Sequence, residues 1–194
     1  DHLTKFAVLA VESDSATKLS DIAGHWAEAG IVQAVADGWV RGYPDGTFKP
    51  EQAMTRAEFT VMLANALKLA GEESDSTSFA DEASIPKWAR RSVALAAKAG
   101  LVHGDNNGMF HPAVNITRAE MAVIIANAHD LADSPAVSAG FADDALIPAW
   151  AKGAVAVLKE LGLLSGKGGN LFDPNGSLTR AEAVKVLSNL LAQK

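Results

Sequence analysis

Apolar residues recur along the chain in two helical patterns, each present three times at an offset of 62 residues. In the first pattern Ala27, Ile31, Ala34 and Gly38 return as Ala89, Val93, Ala96 and Gly100, then as Ala151, Val155, Leu158 and Gly162. Apolar residues three and four apart share one helix face, and a glycine after the last of them allows a left-handed stop. In the second pattern Phe59, Met62, Leu63 and Ala66 return as Met121, Ile124, Ile125 and Ala128, then as Ala183, Val186, Leu187 and Leu190. That spacing predicts a second helix with an apolar stripe in every unit. A lone helical hairpin cannot cover such a stripe, whereas neighbouring units can cover one another's. The pattern predicts an all-α fold of three helix-loop-helix units, at residues 19–70, 79–132 and 141–194, in one compact assembly.

Polar stretches at residues 71–78 and 132–140 read as linkers within that assembly. The first unit is shorter at its start: Asp21 lies five residues before Trp26, while Asp81 and Asp143 lie seven before Trp88 and Trp150. The longer version contains Ile85-Pro86 and Ile147-Pro148, and proline suits a first helical turn because its missing N–H costs nothing there. Residues 1–18 stand outside the repeat. Their apolar run from Phe6 to Val11 reads either as the last strand of a preceding domain or as a flexible leader.

The most specific polar signal is Thr55-Arg56-Ala57-Glu58, repeated as Thr117-Arg118-Ala119-Glu120 and Thr179-Arg180-Ala181-Glu182. Thr-x-x-Glu is a capping box, in which the hydroxyl accepts from a backbone N–H three residues on and the glutamate reaches back. Capping does not explain the arginine, which puts positive charge at the positive end of the helix dipole, at a cost of a few tenths of a kcal/mol. Three of the six arginines occupy that position. One reading is an anion site, where a guanidinium beside free helix-terminal N–H groups grips a carboxylate or phosphate. The other is an ion pair between units with Asp21, Asp81 or Asp143. Glu58, Glu120 and Glu182, two residues on, point away from their own arginines.

Trp26, Trp88 and Trp150 precede the first stripe by one residue, rotated about 100° from its first member. Periodic tryptophans are commonly core, but one in this position can also flank a groove and offer a ring face to a sugar. Trp39, with Leu101 and Leu163 at its equivalent positions, reads as packing. The loop between the helices carries glycines and ends in Phe-x-Pro. At one of its positions Gly46 and Gly108 are replaced by Asn170, which tolerates a left-handed backbone but adds a side chain. Asn65, Asn127 and Asn189, within the second helix, suggest a hydrogen bond between helices.

Composition narrows the chemistry. Hydrophobic residues make up 48% and charged residues 21%, as in a folded globular chain, and no apolar run is long enough to span a bilayer. Without cysteine there are no disulfides, thiolate metal sites or cysteine nucleophiles, and the histidines do not follow the repeat, so neither metal nor cofactor is expected. A net charge of −6 argues against a nucleic-acid surface. Nor does any unit hold a nucleophile, base and orienter at suggestive spacing, so an enzyme is the weakest reading. A protein-binding helical scaffold is the stronger alternative to ligand binding.

The segment from Asp21 to Trp26-Ala27 with its copies, the Gly-Tyr-Pro-Asp-Gly-Thr-Phe-x-Pro loop and the threefold Thr-Arg-Ala-Glu motif together resemble the S-layer homology (SLH) family. Three repeats cover about residues 19–192. The resemblance implies a pseudo-threefold assembly in which one helix per repeat builds a central bundle. Its grooves would bind secondary cell wall polymer of the pyruvylated N-acetylmannosamine type. It also implies a bacterial cell wall or S-layer location, and continuity with a larger surface protein. Ligand residues are then expected at Asp21, Trp26, Gly46, Arg56, Glu58, Asp81, Trp88, Gly108, Arg118, Glu120, Asp143, Trp150, Arg180 and Glu182. Asn170 departs from the pattern. The groove using it is expected to bind more weakly, with the effect read through Arg180 of the same unit.

Overall fold

The computed structural model describes residues 19–71, 76–131, 135 and 137–193. The readings of residues 1–18, and of the linkers at 72–75, 132–134 and 136, lie outside these. The chain forms α1 (Glu28–Ala36), α2 (Arg56–Ala66), α3 (Lys87–Lys98), α4 (Arg118–Ala128), α5 (Ala149–Glu160) and α6 (Arg180–Ala192). Among the described residues β-structure is confined to isolated bridges. The fold is all-α.

The predicted stripes are buried. Ile31, Val93 and Val155 of the first helices are inaccessible to solvent, as are Leu63, Ile125 and Leu187 of the second. Gly38, Gly100 and Gly162 end the first helices at φ 79°, 70° and 70°, where a side chain would be strained. Pro86 and Pro148 stand one residue earlier than expected, at the N-cap with ψ near 140° rather than in the first turn. The second helices bury more than a stripe. On α4, Ala119, Ala122 and Ala126 are covered as well as the periodic set, because small side chains let neighbours approach on further faces.

Units pack in a cycle: α2 lies on α3 of the second unit, α4 on α5 of the third, and α6 returns to α1 of the first. Direct α2–α6 packing adds to these pairings. Backbone hydrogen bonds make the same circuit just ahead of the second helices. Met54 N–H donates to the Leu178 carbonyl, Leu178 N–H to Ile116 and Ile116 N–H to Met54, each at 2.9 Å.

All three capping boxes form, with Thr55, Thr117 and Thr179 accepting from Glu58, Glu120 and Glu182 N–H and each glutamate reaching back. The next donors are also occupied. Arg56 and Ala57 N–H bond to the Val114 and Pro112 carbonyls, Arg118 and Ala119 to Gly176 and Pro174, and Arg180 and Ala181 to Gln52 and Pro50. The expected free N–H groups at these helix starts are thus consumed by contacts between units. Any anion held there depends on side chains.

Candidate functional site: three clefts shared among three units

Each motif arginine crosses to the following unit. Arg56 donates from Nε to the Phe110 carbonyl (2.8 Å), from Nη2 to the His103 carbonyl (3.1 Å) and from Nη1 to Glu120 Oε1 (3.2 Å). Arg118 repeats this with Phe172 (2.6 Å), Ser165 (3.2 Å) and Glu182 (2.8 Å). Arg180 closes the cycle on the first unit, bonding to the Phe48 carbonyl at 2.9 Å and the Arg41 carbonyl at 3.0 Å. No ion pair joins it to Glu58. Its guanidinium lies over the Tyr43 and Phe48 rings. Burial lowers the Arg180 pKa, while Tyr43, Glu58 and Asp21 oppose that shift.

Hydrogen bonds from a charged donor contribute about 1.5–3 kcal/mol each, enough to offset the dipole penalty at the helix start. For Arg56 and Arg118 the carboxylate partner is the motif glutamate of the next unit, not an aspartate, and Arg180 bonds to carbonyls alone. Asp21 instead accepts from Phe48 and Lys49 N–H, Asp81 from Phe110 and His111, and Asp143 from Phe172 and Asp173, all at 2.7–2.8 Å. Burial raises the pKa of these carboxyls, but the paired amides outweigh it and hold them below the ordinary aspartate value. Each clamps the Phe-x-Pro end of its own loop, whose phenylalanine (Phe48, Phe110, Phe172) is fully buried.

Three clefts result, each drawing on all three units. The first, about 680 Å³, has Glu58, Asn65 and Trp39 of the first unit, Arg180 from the third and Trp88 from the second. In the second, about 500 Å³, Glu120, Asn127 and Leu101 are joined by Arg56 and Trp150. Glu182, Asn189 and Leu163 are joined by Arg118 and Trp26 in the third, about 550 Å³. The three tryptophans are 59–60% exposed, so they flank the clefts rather than fill the core. Trp39 is buried as expected, and forms part of a cleft wall.

The structure thus gathers the predicted arginines, glutamates and tryptophans. Asp21, Asp81 and Asp143 stand behind the loops, and Gly46 and Gly108 do not line the clefts. A Cβ at either glycine would meet nothing within 4 Å; their φ of 79° and 72° is what favours glycine. Asn170 takes the same conformation at φ 56° and donates from Nδ2 to the Gly140 carbonyl at 2.9 Å. Because arginines cross between units, the cleft built on the Asn170 unit contains Arg118. Arg180 reports on the cleft of Gly46.

Asn127 and Asn189 make the expected hydrogen bond, donating from the second helix to the Leu101 and Leu163 carbonyls just past the end of the first. They also line the clefts, a role sequence reasoning did not foresee, and it missed a second set of lining residues altogether. Arg41, His103 and Ser165 each offer a carbonyl to a motif arginine and line a cleft. Their varied identity hides them from a search for repeated residues. The histidines, carboxylates and lysines that distinguish individual clefts are hidden for the same reason.

The units thus form a cycle of helices with three composite clefts, each lined by a motif guanidinium and an exposed tryptophan. The sequence matches the S-layer homology domain over residues 18–60, 78–122 and 140–184, and the chain belongs to that family. It is 34% identical to S-layer protein EA1 of Bacillus anthracis over 86% of the chain and 19% of that protein. It is also 35% identical to exoglucanase XynX of Acetivibrio thermocellus, over 89% of the chain and 16% of that protein. Amylopullulanase of Thermoanaerobacterium thermosulfurigenes is 33% identical over 98% of the chain and 10% of that protein. The chain thus spans a fifth or less of these relatives. No helix among the described residues is long and apolar enough to cross a membrane.

Proposed function

We propose that the chain is a non-catalytic module that anchors a larger surface protein to the bacterial cell wall by holding an acidic carbohydrate in its clefts. The family and its S-layer relatives place it at the cell surface. A similar segment, about one third identical, occurs in proteins named for an S-layer, an exoglucanase and an amylopullulanase. A segment common to such different proteins supplies something they share rather than the activity of any one. Attachment fits that role, and the attached protein is an S-layer subunit or another surface protein, such as an anchored enzyme.

The observation that carries the ligand reading is the pairing of Arg180, Arg56 and Arg118 with the exposed faces of Trp88, Trp150 and Trp26. A pyruvyl ketal on N-acetylmannosamine offers a carboxylate to the first partner and apolar C–H groups to the second. Secondary cell wall polymer bearing that sugar is the proposed ligand. A polymer engaging two or three clefts gains roughly 10²–10⁴ in avidity where its repeat matches their spacing.

The test is a pull-down with purified wall polymer before and after chemical removal of pyruvate. Binding is expected to fall sharply on removal. Binding indifferent to pyruvate would overturn carboxylate recognition, and none to either polymer would favour a protein-binding scaffold.

A further inference from the structure

The clefts share a frame but differ in charge. Three cations line the first, Arg41, Lys68 and Arg180, against Asp37 and Glu58. The third has Arg118, Lys167 and Lys185 against Glu51 and Glu182. The second has one permanent cation, Arg56, against Asp105 and Glu120, together with His103 and His111. Histidine is the side chain whose charge changes between about pH 5 and 8. With both rings protonated, the second cleft acquires the cation-to-carboxylate balance of its neighbours; with both neutral, it is net negative.

We propose that the second cleft is an acid-dependent anion site, in which His103 and His111 supply, when protonated, the positive charge that fixed cations supply in the other two. The proposal rests on the reading that the clefts hold an anionic ligand, and it adds a regulation of that binding. His111 Nε2 lies 2.9 Å from Asp105 Oδ2, and its backbone N–H donates to Asp81. Asp81 also senses the charge of the His111 ring. Arg56 holds the His103 carbonyl and pairs with Glu120, while α5 contributes the uncharged Trp150. The hydrogen bond from His111, with those from the Met109 and Asn107 amides, lowers the Asp105 pKa to about 2, so this carboxylate stays charged from pH 5 to 8.

Tryptophan indole N–H signals in NMR titrations of the full chain read the clefts separately. Trp150 reports the second, and Trp88 the first, which no histidine lines. The probes are the pyruvylated N-acetylmannosamine monosaccharide and sulfate, an anion whose charge is constant over this range. Between pH 8.0 and pH 5.0 the Trp150 titration is expected to tighten about fivefold, as two added charges near an anion would give. The Trp88 titration is expected to change less than about twofold. His103→Gln with His111→Gln removes the difference, and His103→Arg, which fixes one of the two charges, reduces it to about twofold. Equal affinity at Trp150 at the two pH values, or the same change at Trp88, overturns the proposal. If the sugar binds nowhere but sulfate shows the Trp150 dependence, the acid-dependent site stands and the carbohydrate reading fails.

Discussion

The first and third clefts start from the same motif and carry the same balance of charges, yet pair those charges differently. In the third, Arg118 is 5% exposed and bonded to Glu182 at 2.8 Å. In the first, Arg180 keeps both carbonyl contacts but has no ion pair with Glu58, and it stacks on Tyr43 where the third unit has Lys167. Lys167 itself reaches Glu182 at 3.6 Å. Under the proposed function, a motif arginine has two tasks in proportions that its neighbours set. Arg118 ties units together through a nearly dry ion pair, whereas Arg180, without one, leaves more of its guanidinium for the proposed ligand.

Removing the two arginines gives the largest contrast. Arg118→Ala leaves two carbonyls without their side-chain donor and Glu182 Oε1 with only Lys167 at 3.6 Å, and is expected to cost about 2–4 kcal/mol, or roughly 6–12 °C in Tm. Arg180→Ala is expected to cost about half as much. Thermal and urea unfolding of both variants checks the order, and equal losses would erase the distinction. The next effect is on binding. Trp88→Ala and Trp26→Ala are each expected to weaken carbohydrate binding about tenfold at the first and third clefts respectively, with Tm nearly unchanged. Calorimetry with cleft-resolved NMR would show whether Trp26 serves the cleft of Arg118, as its placement requires.

Asn170→Gly should produce a smaller gain, about threefold tighter binding in the third cleft, if its side chain hinders the ligand. The signal to follow is that of Trp26. An unchanged affinity would mean that the asparagine, held by Gly140, stays clear of the sugar. Smallest is the response to pH near neutrality in unfolding experiments. The lowered pKa of Asp21, Asp81 and Asp143 gives stability that is fully present above the unfolded value, near 3.8, and is lost as pH falls through the folded values. Tm should be nearly flat from pH 5 to 7 and decline below about pH 4.

Much of the fold was legible because it is set locally. Glycine stops, capping boxes and apolar spacing each involve residues a few positions apart, and all recur in the structure. The glutamate that receives Arg56 lies 64 residues ahead, and the carbonyl that receives Arg180 lies 132 residues behind. Nothing within one repeat announces such partners. The aspartates misled in a different way. Their recurrence suggested a counter-charge, yet backbone amides of their own loops, invisible as residue types, are what they bind. Individual cleft charge was hardest to see, because it resides in residues that do not repeat.

Closure of the cycle also bears on how the chain folds. An open solenoid can nucleate in one repeat and grow by neighbours, but here the first unit receives Arg180 from the third across most of the sequence. Such contacts raise contact order and the entropy of closure, and that slows folding relative to other helical proteins of similar size. During synthesis α1 and α2 emerge long before α6, the helix that covers α1. Until α6 is made, the α1 surface that it covers in the folded chain has no such cover, and the native circuit cannot close.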